Sequence, residues 1–229
     1  GKFYVVRKDE IGDDTICQYY GVTEAGNWED GHNVLHVAGH PPPPHLEEWR
    51  QKLLAIRSRR VRPHRDEKII AAWNGLMISA LCRAGAVAGL AAALPAAERA
   101  AARYLRGELS RTAHGLPAVL DDYAAVATAF ADLYETTFQS RYLHRATELA
   151  DTMITRFADE NAGGFFLTDG RDASVIVRPK EQYDGAEPSG HSLATLLLLR
   201  LAALLDREDY RAVAEKSLRT SAEFMNRAP

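Results

Sequence analysis

Four carboxylates of this sequence lie where two of them could act together on one bond. Asp121 and Asp122 open one long apolar stretch, and Glu181 and Asp184 precede another. Hydrolysis of a glycosidic bond needs such a pair, in which one carboxylic acid donates a proton and one carboxylate acts as base or nucleophile. We therefore predict that Glu181 and Asp184 supply acid/base chemistry and that Asp121 and Asp122 orient it.

The same residue types also suit a structural role. Acidic side chains in the first turn of a helix accept hydrogen bonds from free backbone N–H groups and interact favourably with the helix dipole. Asp121 and Asp122 are therefore either helix caps or site residues. For Glu181 and Asp184 a site is favoured, because Ser189 alone can cap the helix that follows. Ser189 is also a substrate-binding candidate.

Basic residues accompany the carboxylates and allow two interpretations. Arg178 and Lys180 either hold their loop in an ion-pair network or bind an anionic ligand, and the network is favoured. Arg62 and Asp66 allow the same two interpretations with the same preference. All four residues are retained as candidates for substrate binding.

An aromatic residue, an amide and a histidine complete the candidate site. Trp73 is a stacking platform for a sugar or a core residue, and Asn74 beside it must find hydrogen-bond partners within an apolar stretch. Tyr123 follows the aspartate pair and is expected to bind the sugar. His191, at a helix start, is either a proton shuttle of the kind an epimerase needs or a packing residue.

No metal or other cofactor is predicted. Four histidines near the N-terminus have helical spacing, but two glycines and Pro41 in the same stretch disfavour a helix, and no acidic residue stands at a typical ligand position. These histidines are His32, His36, His40 and His45.

Composition limits the class of protein and its partners. The chain has 229 residues, 46% hydrophobic and 26% charged, with a formal net charge of −3. Nucleic acid is not expected as a partner, because no strongly basic stripe is available beyond the short run 57–62. Membrane insertion is not expected either, since polar residues and glycines dilute the longest apolar stretch. Two distant cysteines fit a reducing compartment, and we predict a cytoplasmic protein.

Hydrophobic periodicity predicts a mainly α-helical fold. Three apolar segments, 73–94, 121–138 and 192–205, are each followed by an amphipathic helix, which is an αα-hairpin repeated three times. Another amphipathic helix is expected at 46–60. Residues 1–45 are predicted as a small β-rich segment with strands near 3–6, 15–20 and 33–37, and residues 46–229 as the helical domain.

Polar residues stand at the start of each of the three apolar segments, and loop lengths predict where these polar clusters meet. Turns from each apolar helix to its amphipathic partner are short, whereas the return connections 107–120 and 158–188 are long, the second with a predicted β-hairpin of 165–168 and 175–177. The long loops and polar clusters therefore share one end. Buried helices inside amphipathic ones form an (α/α) toroid, here about half of six hairpins. Missing chain, or a second copy in a homo-oligomer, is expected to cover the exposed inner helices.

Several motifs resemble one family, the spermatogenesis-associated protein 20 family of thioredoxin-domain-containing proteins. The motifs are YGVTEAGNWE at 20–29, RPHRDEK at 62–68 with WNGLM at 73–77, DDY at 121–123, KE at 180–181 and DGAEPSG at 184–190. Members usually carry Asp-Asp-Lys where this chain has Asp66-Glu67-Lys68, and usually Asn where it has His191.

The resemblance implies a thioredoxin-like domain followed by a partial (α/α)6 toroid of the six-hairpin glycosidase type, akin to N-acylglucosamine 2-epimerases. The chain would be the central portion of that toroid. A carbohydrate ligand and a sugar hydrolase or epimerase activity are then the first expectation. The alternative is a non-catalytic binding or scaffold module that acts with the thioredoxin-like domain on protein clients.

Overall fold

The computed structural model describes residues 1–171 and 175–227 and is mainly α-helical. The chain divides into two compact units, Gly1–Glu67 and Lys68–Pro229. The helix predicted at 46–60 falls in the first of them, and the predicted domain boundary after residue 45 stays a prediction. None of the helices in the described part of the chain is long and apolar enough to cross a membrane.

The first unit is built from three helices rather than strands. They are α1 Lys8–Ile11, α2 Asp14–Tyr19 and α3 Leu46–Ser58. Their apolar side chains share a core that includes Ile16, Cys17 and Leu46. The helix α3 confirms the periodicity seen in the sequence.

The predicted strand at 15–20 is wrong. Asp13 accepts hydrogen bonds from the N–H groups of Thr15 at 3.0 Å and Ile16 at 3.1 Å, so it caps α2 and favours a helix over an extended chain. Of the other predicted strands in this unit, only an isolated bridge between Val6 and Asn33 is present among the described residues. The N-terminal segment is therefore helical and irregular.

The second unit consists of three αα-hairpins. The helices are α4 Ala71–Ala88, α5 Ala93–Ala101, α6 Leu120–Thr137, α7 Ser140–Phe157, α8 Gly190–Leu205 and α9 Glu208–Arg227. The helix α6 packs against both α4 and α8, and each of these three packs against the helix that follows it. They form an inner row, and α5, α7 and α9 an outer row. The predicted toroid portion is thus confirmed.

The middle inner helix carries the core. Almost the whole of α6 between Leu120 and Leu133 is buried. Its neighbours each pack against one inner helix, and their remaining faces expose large apolar side chains, which include Trp73 and Met77 on α4 and Leu196 on α8. Most of the surface of α6 is buried, which explains why its residues are apolar on nearly every side of the helix.

Each inner helix ends in the same backbone conformation. Gly89, Phe138 and Asp206 follow α4, α6 and α8 with φ of 65°, 56° and 54°, all left-handed. A left-handed residue after a helix reverses the chain within a few residues and lets its N–H bond a helix carbonyl. The hairpin repeat is therefore more regular in backbone than in sequence.

The predicted hairpin of 165–168 with 175–177 is wrong in its pairing. Phe165 forms an isolated bridge with Ala158, and the N–H of Leu167 donates to the carbonyl of Pro179 at 2.8 Å. No strand ladder joins the two segments among the described residues, and residues 172–174 between them lie outside that part of the chain. Residues 165–167 instead pair with the end of α7 and with the segment before α8.

Candidate functional site

Two glycines bring the N-terminal ends of the inner helices together. A Cβ atom on Gly75 would lie 2.5 Å from the carbonyl carbon of Ala125, and one on Gly190 would lie 2.3 Å from Asp121 Oδ1. No side chain fits at such distances, so α4 and α8 approach α6 at backbone contact. The sequence motifs contain both glycines, but the sequence alone does not show that they allow this close helix contact.

A cavity of about 240 Å³ lies where the three helices begin, and we call it the rim cavity. Three carboxylate residues line it: Asp121, Glu181 and Glu187. The rest of its wall comes from small and apolar residues and from the loop before α8. These include Ala72, Leu76, Ala125, Tyr183, Ser189 and Leu193. None of the described lining residues is cationic.

Asp121 is the carboxylate best suited to hold a proton. It lies in the first turn of α6, and its Oδ1 accepts a hydrogen bond from the Gly190 N–H at 3.0 Å. Burial raises the pKa of Asp121, and the charges of Asp122 and Glu181 add to this, so the net direction is upward despite the Gly190 hydrogen bond. A raised pKa is what a general acid requires near neutral pH.

Asp122 faces away from the rim cavity and fixes the helices. Its side chain is fully buried and accepts hydrogen bonds from the N–H groups of Ala72 and Val119, both at 3.0 Å. Arg111 pairs with it at 3.2 Å. Asp122 thus ties the start of α4 to the start of α6, which is a positioning function.

Asp184 and Ser189 cap α8. Asp184 accepts a hydrogen bond from the Ser189 N–H at 2.8 Å and from the Ser192 hydroxyl at 3.1 Å, while the Ser189 hydroxyl accepts from the Ser192 N–H at 3.2 Å. Burial raises the pKa of Asp184, but the hydrogen bonds from Ser189 and Ser192 outweigh it and the net direction is downward. Asp184 is therefore poorly suited to donate a proton, and it lines a different cavity from Asp121.

Arg178 and Lys180 anchor the long loop, as the favoured interpretation predicts. Arg178 donates to the carbonyl of Thr168 at 2.8 Å, and Lys180 donates to Asp159 at 2.6 Å and to the carbonyl of Gly163 at 2.7 Å. The Lys180 contact and two backbone N–H groups lower the pKa of Asp159 to about 2. Neither cation pairs with Glu181 or Asp184 within the described ranges.

Trp73 is placed beside the rim cavity and Asn74 is not. Trp73 is 55% exposed, and its indole N–H donates to Glu187 at 2.8 Å. The Asn74 amide donates to the carbonyl of Ile70 in the preceding turn at 2.9 Å. The sequence analysis does not predict Glu187 as a site residue. The signal that could have identified it is an acidic residue next to Pro188 within the polar run 178–191.

Tyr123 is directed into the core, and His191, although almost fully buried, lines the same cavity as Asp184. The Tyr123 hydroxyl accepts a hydrogen bond from Arg156 at 3.0 Å, and the ring is 2% exposed. His191 Nε2 lies 3.0 Å from the hydroxyls of both Ser217 and Ser221 on α9. Burial, and after it the charge of Lys180, lowers the pKa of His191, which disfavours the protonated form of this side chain between α8 and α9. Neither residue lines the rim cavity.

Arg62 and Asp66 belong to the first compact unit. Their predicted participation in the site stays a prediction. Of the thirteen residues predicted from the sequence, the structure brings Asp121, Glu181, Ser189 and Trp73 together at the rim cavity.

Several solved structures share this helical arrangement. The second unit's helices define the class of six-hairpin (α/α) toroids, of which the chain supplies about half. A family 76 α-mannanase of Bacteroides thetaiotaomicron is 17% identical with a TM-score of 0.57, over 70% of this chain and 46% of that one. Cellobiose 2-epimerase of Bacillus thermoamylovorans is 15% identical with a TM-score of 0.55, over 69% and 45%.

A third structure is an inactive variant of an α-1,6-mannanase of Salegentibacter, in which two consecutive aspartates are replaced by alanine. It is in complex with α-1,6-mannotetrose. It is 13% identical with a TM-score of 0.57, over 77% of this chain and 53% of that one. At these identities the likeness establishes the fold.

The chain has homologues named spermatogenesis-associated protein 20. The human protein of that name is 32% identical over 93% of this chain and 33% of its own length. An uncharacterized protein of Caenorhabditis elegans is 34% identical over 80% of this chain and 27% of its own length. No family model matches the chain. The chain spans about a third of the length of these relatives.

Proposed function

We propose that the rim cavity binds a sugar and forms part of the site of a carbohydrate hydrolase or epimerase. The observation that carries this proposal is Asp121, a largely buried carboxylate with a raised pKa that opens into a cavity with Glu181 and Glu187. Asp121 then holds the proton to be donated. Glu181, which lies close enough to raise the pKa of Asp121, acts as the base or nucleophile.

The division of labour therefore differs from the one expected from sequence. Asp121 takes the acid role, and Asp184 is left to cap α8. Trp73 provides a flat apolar surface for a sugar ring, held in place by its hydrogen bond to Glu187. Asp122 keeps α4 and α6 in register so that Trp73 and Asp121 face the same space.

Two of the solved structures support this assignment by analogy. The α-1,6-mannanase variant is inactive with two consecutive aspartates replaced, and Asp121 and Asp122 are also consecutive. In the present chain one member of the pair faces the cavity and the other fixes the helices. The likeness to a cellobiose 2-epimerase supports the isomerase alternative equally well.

Charge restricts the class of sugar. Three carboxylates and no cation line the rim cavity, while Arg111, Arg178 and Lys180 donate to other protein groups. An anionic ligand would therefore meet uncompensated negative charge in a partly buried space. We infer that a neutral sugar or an amino sugar is the substrate, rather than a sugar phosphate or a uronic acid.

Calorimetry with matched variants tests the proposal. We expect a manno-oligosaccharide or cellobiose to bind to a full-length family member and to be hydrolysed or epimerised. Asp121→Asn abolishes turnover but leaves binding, because asparagine still accepts the Gly190 N–H. Asp184→Asn is the control and retains activity. Loss of turnover in both variants, or in neither, contradicts the assignment of Asp121.

A binding or scaffold module remains the second candidate. It is favoured by the number of polar groups that have purely structural partners, among them Asp122, Asp184, Arg178 and Lys180. In that case the cavity holds a partner surface and works with a thioredoxin-like domain on protein clients. Absence of binding to every sugar tested would support it. The cytoplasmic location belongs to the same set of proposals.

A further inference from the structure

A second cavity, of about 300 Å³, lies wholly within the first unit, and we call it the arginine cavity. Its wall is mainly aromatic and aliphatic: Phe3, Tyr4, Tyr20, Leu35 and Leu53 line it together with residues of α3. This volume is at the lower end of the range of small-molecule sites, roughly 300–1,000 Å³. No part of the proposed sugar chemistry involves it.

Three arginines border this cavity: Arg50 in the first half of α3, Arg57 in its last turn and Arg60 just after it. Two of them pair with carboxylates. Arg60 donates to the carbonyls of Lys2 at 3.1 Å and Phe3 at 3.2 Å, and it pairs with Glu10. Arg50 pairs with Glu47 at 3.3 Å. Their positive charges therefore already have acceptors.

Arg57 differs from these two arginines. Its guanidinium carbon lies 6.0 Å from the ring centroid of Phe3, in the range of a cation–π contact. Among the described residues, no carboxylate lies within 4 Å of its guanidinium nitrogens. The apolar cavity thus has one positive charge at its edge that the protein itself does not compensate.

We propose that the arginine cavity binds a small monocarboxylate with an aromatic or aliphatic body. The body fills the space against Phe3 and Leu53, and the carboxylate accepts two parallel hydrogen bonds from the Arg57 guanidinium. A monoanion matches the single uncompensated charge, whereas a phosphate dianion would leave a negative charge without a partner. The proposal is independent of the sugar site.

Calorimetric titration of the 229-residue chain tests this, with 3-phenylpropionate and its neutral amide as probes. Because Arg57 is exposed, solvent reduces the contribution of its hydrogen bonds to the carboxylate to about 1 kcal/mol, so the amide should bind roughly fivefold more weakly. Arg57→Gln should weaken binding of the carboxylate to a similar degree. Arg59→Gln is the control, because Arg59 is exposed and does not line the cavity, and it should change affinity less than twofold.

Three results would overturn the proposal. The first is no heat of binding with the carboxylate, and the second is equal affinity for the amide. The third is an equal loss in Arg57→Gln and Arg59→Gln, which would mean that only the general charge of the helix end matters. Because Arg57 is exposed, circular dichroism of each variant should match that of the wild type.

Discussion

Replacement of Gly75 by alanine tests whether backbone contact between α4 and α6 builds the rim cavity. The new Cβ would lie 2.5, 2.6 and 2.8 Å from the carbonyl carbon, the carbonyl oxygen and the following nitrogen in the Ala125–Val126 segment. Backbone atoms in the middle of a buried helix cannot rotate away as a flexible side chain can. One helix must therefore shift.

The same helix provides a matched control. Gly85 is also within α4, but its nearest contacts would be the Cβ and N atoms of Leu94 at 3.6 Å, which is ordinary van der Waals distance. Alanine is favoured over glycine in a helix by about 1 kcal/mol at either position. At Gly75 overpacking opposes this gain with about 3 kcal/mol, the upper part of the usual range.

The two variants should therefore change stability in opposite directions. Gly75→Ala is expected to lower the free energy of unfolding by ~2 kcal/mol, and Gly85→Ala to raise it by ~0.5–1 kcal/mol. Urea denaturation followed by circular dichroism at 222 nm measures both. Gly75→Ala should also weaken sugar binding. A shift of α4 moves Trp73, and it moves the Ala72 N–H that donates a hydrogen bond to Asp122.

Equal stability of the two alanine variants would refute this reasoning. It would mean that α4 and α6 can separate without loss, and hence that glycine does not set their distance. A stable Gly75→Ala variant that binds sugar normally would also mean that the rim cavity does not depend on the contact between α4 and α6.

Three further predictions follow from the site. The pKa of Asp121 is raised on folding from its ordinary 3.8, so the folded state binds more protons than the unfolded state between the unfolded and the folded pKa, and the free energy of unfolding falls as pH rises through that window. Asp121→Asn should remove this pH dependence and raise stability at pH 7, measured by urea denaturation at several pH values. Asp184→Ala should lower the free energy of unfolding by about 1 kcal/mol through loss of the α8 cap, with sugar binding retained in calorimetry. His191→Ala should destabilise by about 2–3 kcal/mol, measured in the same way, because it leaves a space between α8 and α9 and removes one hydrogen-bond partner from each of two buried serine hydroxyls. A stable His191→Ala variant that had lost sugar affinity would instead return this residue to the site.

The helical part of the fold was predictable because its signals extend over long segments. Periodicity located α6 to within a residue or two, and alternating loop lengths placed Asp121 and Trp73 at the same end. The strand expected at 15–20 failed because a six-residue segment carries too little periodicity to overcome one capping residue. Asp13 was the decisive signal there, and it lies outside the segment.

The site was predictable in location but not in its assignment of functions. Asp121 and Asp122 are adjacent in one helical turn, so their side chains point about 100° apart, and sequence alone cannot say which of them faces the cavity. Likewise, Asp184 and Glu181 look equivalent until the hydrogen bonds of Ser189 are known. Such distinctions depend on how helices rotate against each other, which is a property of tertiary packing.

The repeated left-handed residue at the ends of the inner helices restricts how this protein can change in evolution. One residue inserted at Gly89, Phe138 or Asp206 would separate the left-handed residue, or the N–H that caps the helix, from the helix end, and the short turn to the outer helix would have to form again. The outer helices α5 and α7 end without a left-handed residue, and the return loops that follow them are longer. We therefore expect insertions and deletions to be tolerated better in the return loops, on the side where the rim cavity lies, than in the three short turns.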